Sequence, residues 1–110
     1  MAQEQINELR EILSRELDED TKAEMESMGL SLDKDENIQR VASAMTLFDA
    51  HEKGEELSEE ELKLVSGGNI FKKIWHAVKK DVITNPGVYK GVGKFGIKVI
   101  LGGLESAGDA

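Results

Sequence analysis

The Gly67-Gly68 pair divides this chain into two parts of opposite charge, and that division most limits how it can fold. Residues 1–68 hold 7 basic and 19 acidic side chains, a net −12, whereas residues 69–110 hold 7 lysines and 3 acids, a net +4. Residue types change at the same point. Phe71, Trp75, Tyr89 and Phe95, four of the five aromatics, follow the pair, as do seven of the eleven glycines and the only proline, while all four methionines precede it. Such asymmetry predicts different tasks for the two parts. Two arrangements satisfy it: a basic part that packs on the acidic helices of its own chain, or a basic part destined to act alone. The two are compatible if the first holds only until the parts separate.

Helical spacing dominates the acidic part. Ile6, Leu9, Ile12, Leu13 and Leu17 recur every three or four residues, with Glu8, Arg10, Glu11 and Arg15 on the other face, which predicts an amphipathic helix. Asp18-Glu19-Asp20 loosens that pattern, Met25 and Met28 extend a weaker one, and Gly29 reads as a helix stop. Asp33-Lys34-Asp35-Glu36 then offers an N-cap and first-turn acids to a further segment, in which Ile38, Val41, Ala42, Met45 and Phe48 repeat the spacing. Two or three short helices are expected, packed on one another through ordinary core residues.

Composition removes several function classes. With no cysteine, disulfide frameworks, thiolate zinc sites, cysteine nucleophiles and thioether rings are out, and two distant histidines, His51 and His76, do not make a metal site. No phosphate-binding loop, dinucleotide fingerprint, zinc-peptidase motif or nucleophile elbow occurs, so the chain is expected not to be an enzyme and to need no cofactor. Nucleic acid is a poor partner for a chain of net −8 whose basic part lacks arginine. The N-terminus, MAQEQINELREIL, lacks the basic and apolar regions of a secretory signal, and no run of eighteen apolar residues exists. Aromatics are 5% and charged residues 33%, so a small chain with a thin core and partial order is expected.

The most informative stretch is Leu57-Ser-Glu-Glu-Glu-Leu-Lys-Leu-Val-Ser-Gly-Gly68. Ser58 and Glu61 have the spacing of a capping box, and Leu57 and Leu62 that of a hydrophobic staple. Glu59, Glu60 and Glu61 put negative charge in the first turn, where the helix dipole favours it. Gly67 is expected to end the helix in the left-handed conformation. Leu62 and Val65 give this short helix an apolar edge, and two turns of helix are ordered best against a partner.

This segment resembles the double-glycine leader of bacteriocin and other ribosomally made peptide precursors, whose pattern L-S-x-x-E-L-x-x-[IV]-x-G-G is met at Leu57, Ser58, Glu61, Leu62, Val65, Gly67 and Gly68. The resemblance implies a cut between Gly68 and Asn69 by a papain-like peptidase domain fused to an ABC transporter, which exports the C-terminal part. It further implies that Leu57, Leu62 and Val65 fill apolar pockets of that peptidase and that Gly67 and Gly68 thread its narrow cleft, with Glu61 among the recognition positions. A glycine backbone suits such a constriction because no Cβ obstructs it. A leader of 68 residues is long for this kind and is similar to those of precursors that dock a maturation enzyme, for which residues 1–50 are the expected recognition region.

The part from Asn69 to Ala110 begins with NIFKKIWHAVKKDVI, which sets Ile70, Phe71, Ile74, Trp75, Val78 and Val82 on one face and Lys72, Lys73, His76, Lys79 and Lys80 largely on another. This reads as a basic amphipathic helix whose lysine stems can snorkel while Trp75 and its neighbours enter a lipid boundary. Thr84-Asn85-Pro86-Gly87 breaks the helix, because proline disfavours helical geometry in the preceding residue. A second amphiphile follows, with Lys90, Lys94 and Lys98 in one stripe and Val88, Val92, Phe95 and Val99 beside it. From Asn69 to Leu104 the net charge is +6, suited to anionic bacterial lipid. His76 and Tyr89 are expected at the interface as a polar residue and an anchor.

The expected fold is therefore all-α: an acidic helical leader, a short capped helix before Gly67-Gly68, and a basic helix-break-helix product. The expected function is the precursor of a secreted, cationic, membrane-active antimicrobial peptide, cytoplasmic until cut. Two alternatives stay open: a secreted signalling peptide, and an uncleaved acidic helical interaction protein.

Overall fold

In a computed structural model, which describes residues 3–67, 70–89 and 100, the chain is all-helical, with no strand among the described residues. Helix α1 spans Gln3–Glu16, α2 Glu19–Ser27, α3 Asp35–Glu52, α4 Glu59–Ser66 and α5 Ile70–Ile83. A 3-10 turn, Pro86–Val88, follows α5.

The apolar spacing of α1 becomes a buried face. Ile6, Leu9, Ile12 and Leu13 are buried, and Leu17 joins them just beyond the helix end. There the acidic stretch starts a new helix, since Asp18 accepts a hydrogen bond from the backbone N–H of Thr21 at 2.7 Å and so caps α2. In α2 only Met25 is buried.

Helices α2 and α3 stop in the same way. Gly29, at φ 82°, follows α2, and Gly54, at φ 78°, follows α3, both in the left-handed region that favours glycine. The N–H of Leu30 reaches back to the Met25 carbonyl at 2.7 Å, and that of Glu55 to the Ala50 carbonyl at 3.0 Å, which is the Schellman closure. Leu30 is fully buried, so the α2 stop also anchors the loop in the core.

The start of α3 differs from expectation. Its N-cap is Lys34, with no side-chain cap, while Asp35 and Glu36 do supply the first-turn acids. Asp35 instead pairs with Arg10 of α1, whose Nε also donates to the Leu32 carbonyl at 2.8 Å. The loop is held by tertiary bonds that substitute for a local cap. Asn37 contributes another, donating to the Ser31 carbonyl at 2.9 Å. Ile38, Val41, Ala42, Met45 and Phe48 are all buried, as their spacing predicts.

The capping box of α4 is complete. Ser58 N–H donates to Glu61 Oε1 at 2.9 Å, and Glu61 N–H donates to Ser58 Oγ at 3.2 Å. Ser58→Ala is expected to destabilise α4 by about 1 kcal/mol, read as faster hydrogen exchange of the α4 amides. The apolar edge of α4 is not the expected one. Leu64 and Val65 are buried where α4 packs on α3, whereas Leu62 is 40% exposed. Gly67 also departs from expectation, because it ends α4 at φ −76° and ψ 154°, an extended conformation open to any residue.

One core unites both sides of the glycine pair. Helix α5 packs on α1, α2 and α3, and the 3-10 turn packs on α1 and α5. Ile70, Phe71, Ile74, Trp75, Val78 and Val82 all enter the core that α1 and α3 line, together with Val88 and Tyr89. Val88, expected to open the apolar row of a second amphipathic helix, lies in the 3-10 turn.

Candidate functional site

Two features compose the site: the junction between α4 and α5, and the seat that the acidic helices make for α5. Gly68 and Asn69, which flank the implied cut, lie outside the described residues, as do Lys90, Lys94, Phe95 and Lys98.

At the junction, the residues named for peptidase recognition are not all on one accessible face. Leu62 is exposed, Leu57 is half-buried against the core, and Val65 is 4% exposed. Glu61 is engaged in the capping box. A pocket that takes Val65 can reach it only after α4 lifts from α3.

The seat of α5 is built around Trp75. Its ring stacks on Phe48 of α3 at a centroid distance of 6.1 Å and an interplanar angle of 14°, and Tyr89 meets it edge-on at 6.2 Å and 80°. The indole N–H donates to Glu52 Oε2 at 2.7 Å, and Lys79 Nζ donates to the same oxygen at 3.1 Å. On the other flank, Lys73 Nζ donates to Glu24 Oε1 of α2 at 2.8 Å. Beyond α5, Gln5 Nε2 donates to the Gly87 carbonyl at 3.0 Å. Of the residues named for a membrane, Phe71, Ile74, Trp75 and Val78 face the protein core. Lys73 and Lys80 are exposed and Lys72 and Lys79 partly so, as on the polar face of an amphipathic helix.

Electrostatics follow this geometry. The Trp75 hydrogen bond, assisted by Lys79, holds the Glu52 carboxyl below its ordinary value, and Glu24 raises Lys73. Thr21 lowers Asp18 through the α2 cap, and Arg10 lowers Asp35. Burial, with the negative charge of Asp49 beside it, pushes the Tyr89 phenol from 10.0 to about 12. The two ends of the pH scale thus act with opposite signs. A depressed carboxyl such as Glu52 stabilises the fold above its unfolded value of 4.5, and the contribution is lost as pH falls through the lowered value. The raised phenol stabilises the fold fully below 10.0, and the contribution is lost as pH rises towards about 12. Glu52→Gln is expected to flatten the acid limb of a stability titration and Tyr89→Phe the alkaline limb, both followed by circular dichroism.

Glu16, Asp18, Asp20, Thr21, Glu24, Lys73, His76 and Ala77 line an open depression of about 590 Å³ between α2 and α5. Its acids have internal duties, since Asp18 caps α2 and Glu24 binds Lys73. Among the described residues no group of His, Asp or Glu is placed to hold a metal ion, and no helix is long and apolar enough to cross a membrane.

Reading the residues alone misses Glu24, Glu52 and Phe48 as partners of α5. The charge contrast across Gly67-Gly68 is the signal that could have pointed to the two glutamates, because it predicts attraction without identifying pairs. No family model, curated protein or solved structure matches this chain.

Proposed function

We propose that the chain is a precursor, cut after Gly68, whose residues 69–110 are released as a cationic peptide that acts on the anionic membranes of competing bacteria. A peptidase-bearing ABC transporter is the partner of the leader, and residues 1–50 can also dock a maturation enzyme. Hydrolysis adds water across the Gly68–Asn69 bond, leaving a carboxylate on Gly68 and an ammonium group on Asn69. The precursor is cytoplasmic and the product is secreted.

The observation that carries this reading is the backbone of Gly67. Glycine is needed at Gly29 and Gly54, where φ is positive, whereas at Gly67 φ is −76° and the fold makes no such demand. A glycine that its backbone conformation does not require, beside a second one and downstream of a matching recognition helix, is explained by an enzyme cleft that admits no side chain. Further support comes from α5, whose lysines lie opposite a continuous apolar face that includes a tryptophan.

A second reading, an uncleaved helical interaction protein, is favoured by the way α5 completes the core of the acidic helices. The intact mass of material released by cells that express the chain with a peptidase-bearing exporter separates the two. A released peptide beginning at Asn69 supports the precursor. Full-length chain inside the cell and none outside, with the exporter active, overturns it.

A further inference from the structure

We propose that cutting the chain does not free the product: the acidic helices form a receptor for α5, so the excised leader stays bound to the peptide until export or lipid strips it away. This inference rests on the processing reading for its biological setting, but the interface it invokes is independent of which enzyme makes the cut.

Among the described residues, the contacts that hold α5 all lie away from the bond to be broken. Its six core residues are each no more than 2% exposed, and they pack on three helices that all precede Gly67. The contacts select for chemistry as well as for apolar area. Phe48 stacks on Trp75, Glu52 accepts from both the indole N–H and Lys79, and Glu24, on a different helix, accepts from Lys73. These charge-assisted bonds bracket the helix along its length, at positions 73 and 79. The receptor thus recognises one class of partner, a lysine-bearing amphipathic helix with a tryptophan at its centre. A leader of net −12 and a product of net +4 also attract one another before contact.

The covalent link contributes effective concentration, which a cut removes while leaving in place the contacts made between the described residues. The cut also places a new ammonium group one residue before α5, where the helix dipole disfavours positive charge, a small effect set against eight buried side chains from Ile70 to Tyr89. Because the apolar face of α5 cannot face α1–α3 and a bilayer at once, leader binding and membrane binding exclude each other.

The test uses the full chain with the recognition sequence of a specific protease inserted between Gly68 and Asn69, cut under native conditions at micromolar concentration. The two fragments are expected to co-elute on size exclusion, with Trp75 emission still blue-shifted as in the uncut chain. Vesicles of anionic phospholipid are expected to remove the product from the complex. Glu24→Gln with Glu52→Gln is expected to weaken the nicked complex roughly tenfold. A protease site between Glu55 and Glu56, before α4, challenges the same seat and serves if insertion at the junction unfolds the chain. Fragments that separate, with Trp75 emission shifted to that of a solvated indole, overturn the proposal. Its failure is distinct from that of the processing reading, which falls if cells with an active exporter release no peptide beginning at Asn69.

Discussion

Gly67→Ala is expected to abolish release of the product while leaving the folded chain as stable as before. At φ −76° and ψ 154° an alanine suffers no backbone strain, so the urea midpoint should stay within about 0.5 kcal/mol of the parent, or rise slightly as the unfolded chain loses freedom. Gly29→Ala is the informative contrast, because φ 82° forces a side chain into the left-handed region at a cost of roughly 1 kcal/mol or more. If glycine at position 67 serves only the fold, the two variants should differ in the opposite sense or not at all. If it serves a peptidase cleft, Gly67→Ala and Gly68→Val leave full-length precursor in the cell, and Gly29→Ala is still processed. Intact mass of the cell and medium fractions, beside urea titrations of the purified variants, decides the matter. Release of a normal product from Gly67→Ala sinks the cleft argument.

Trp75→Ala is expected to have the largest effect on stability of any single truncation in α5. The side chain is 1% exposed, lies between Phe48 and Tyr89, and donates to Glu52. Replacing a buried large aromatic by alanine costs about 3–5 kcal/mol, against a total of about 5–15 kcal/mol for an ordinary domain. The loss reaches the leader too, since α1 and α3 bury their faces against the same cluster. Loss of helix by circular dichroism at a much lower urea concentration is the expected result, with Trp75→Phe milder because it keeps the ring and loses the hydrogen bond. A Trp75→Ala chain as stable as the parent would show that α5 is a passenger on an independently folded leader.

Local features of this fold were legible in the residues because their causes are local. The three-to-four spacing in Ile6 to Leu17 and in Ile38 to Phe48 identifies the buried faces of α1 and α3. Ser58 and Glu61 reach only each other's backbone, so their spacing suffices to predict the capping box. Gly29 and the break before Pro86 were equally readable. The cap of α3 was not, because Asp35 is drawn to Arg10, 25 residues away, instead of turning to its own helix end. Position 67 misled for a related reason. A glycine after a helix usually means a left-handed cap, whereas Gly67 is extended, a conformation that glycine by itself does not signal.

For the candidate site, composition and motif located the junction, and amphipathic spacing located the apolar face of α5. Those are one-dimensional properties, set by periodicity and by the chemistry of neighbours. What covers that face depends on contacts far apart in the chain: Phe48 and Glu52 on Trp75, Glu24 on Lys73. The same holds for α4, where packing on α3 buries Leu64 and Val65 and leaves Leu62 outside. A sequence specifies that an amphipathic helix must hide its apolar stripe, and lipid and protein satisfy that requirement equally well. Only the placement of α1, α2 and α3 around α5 selects protein, because burial and ion pairing arise between residues that no periodicity links.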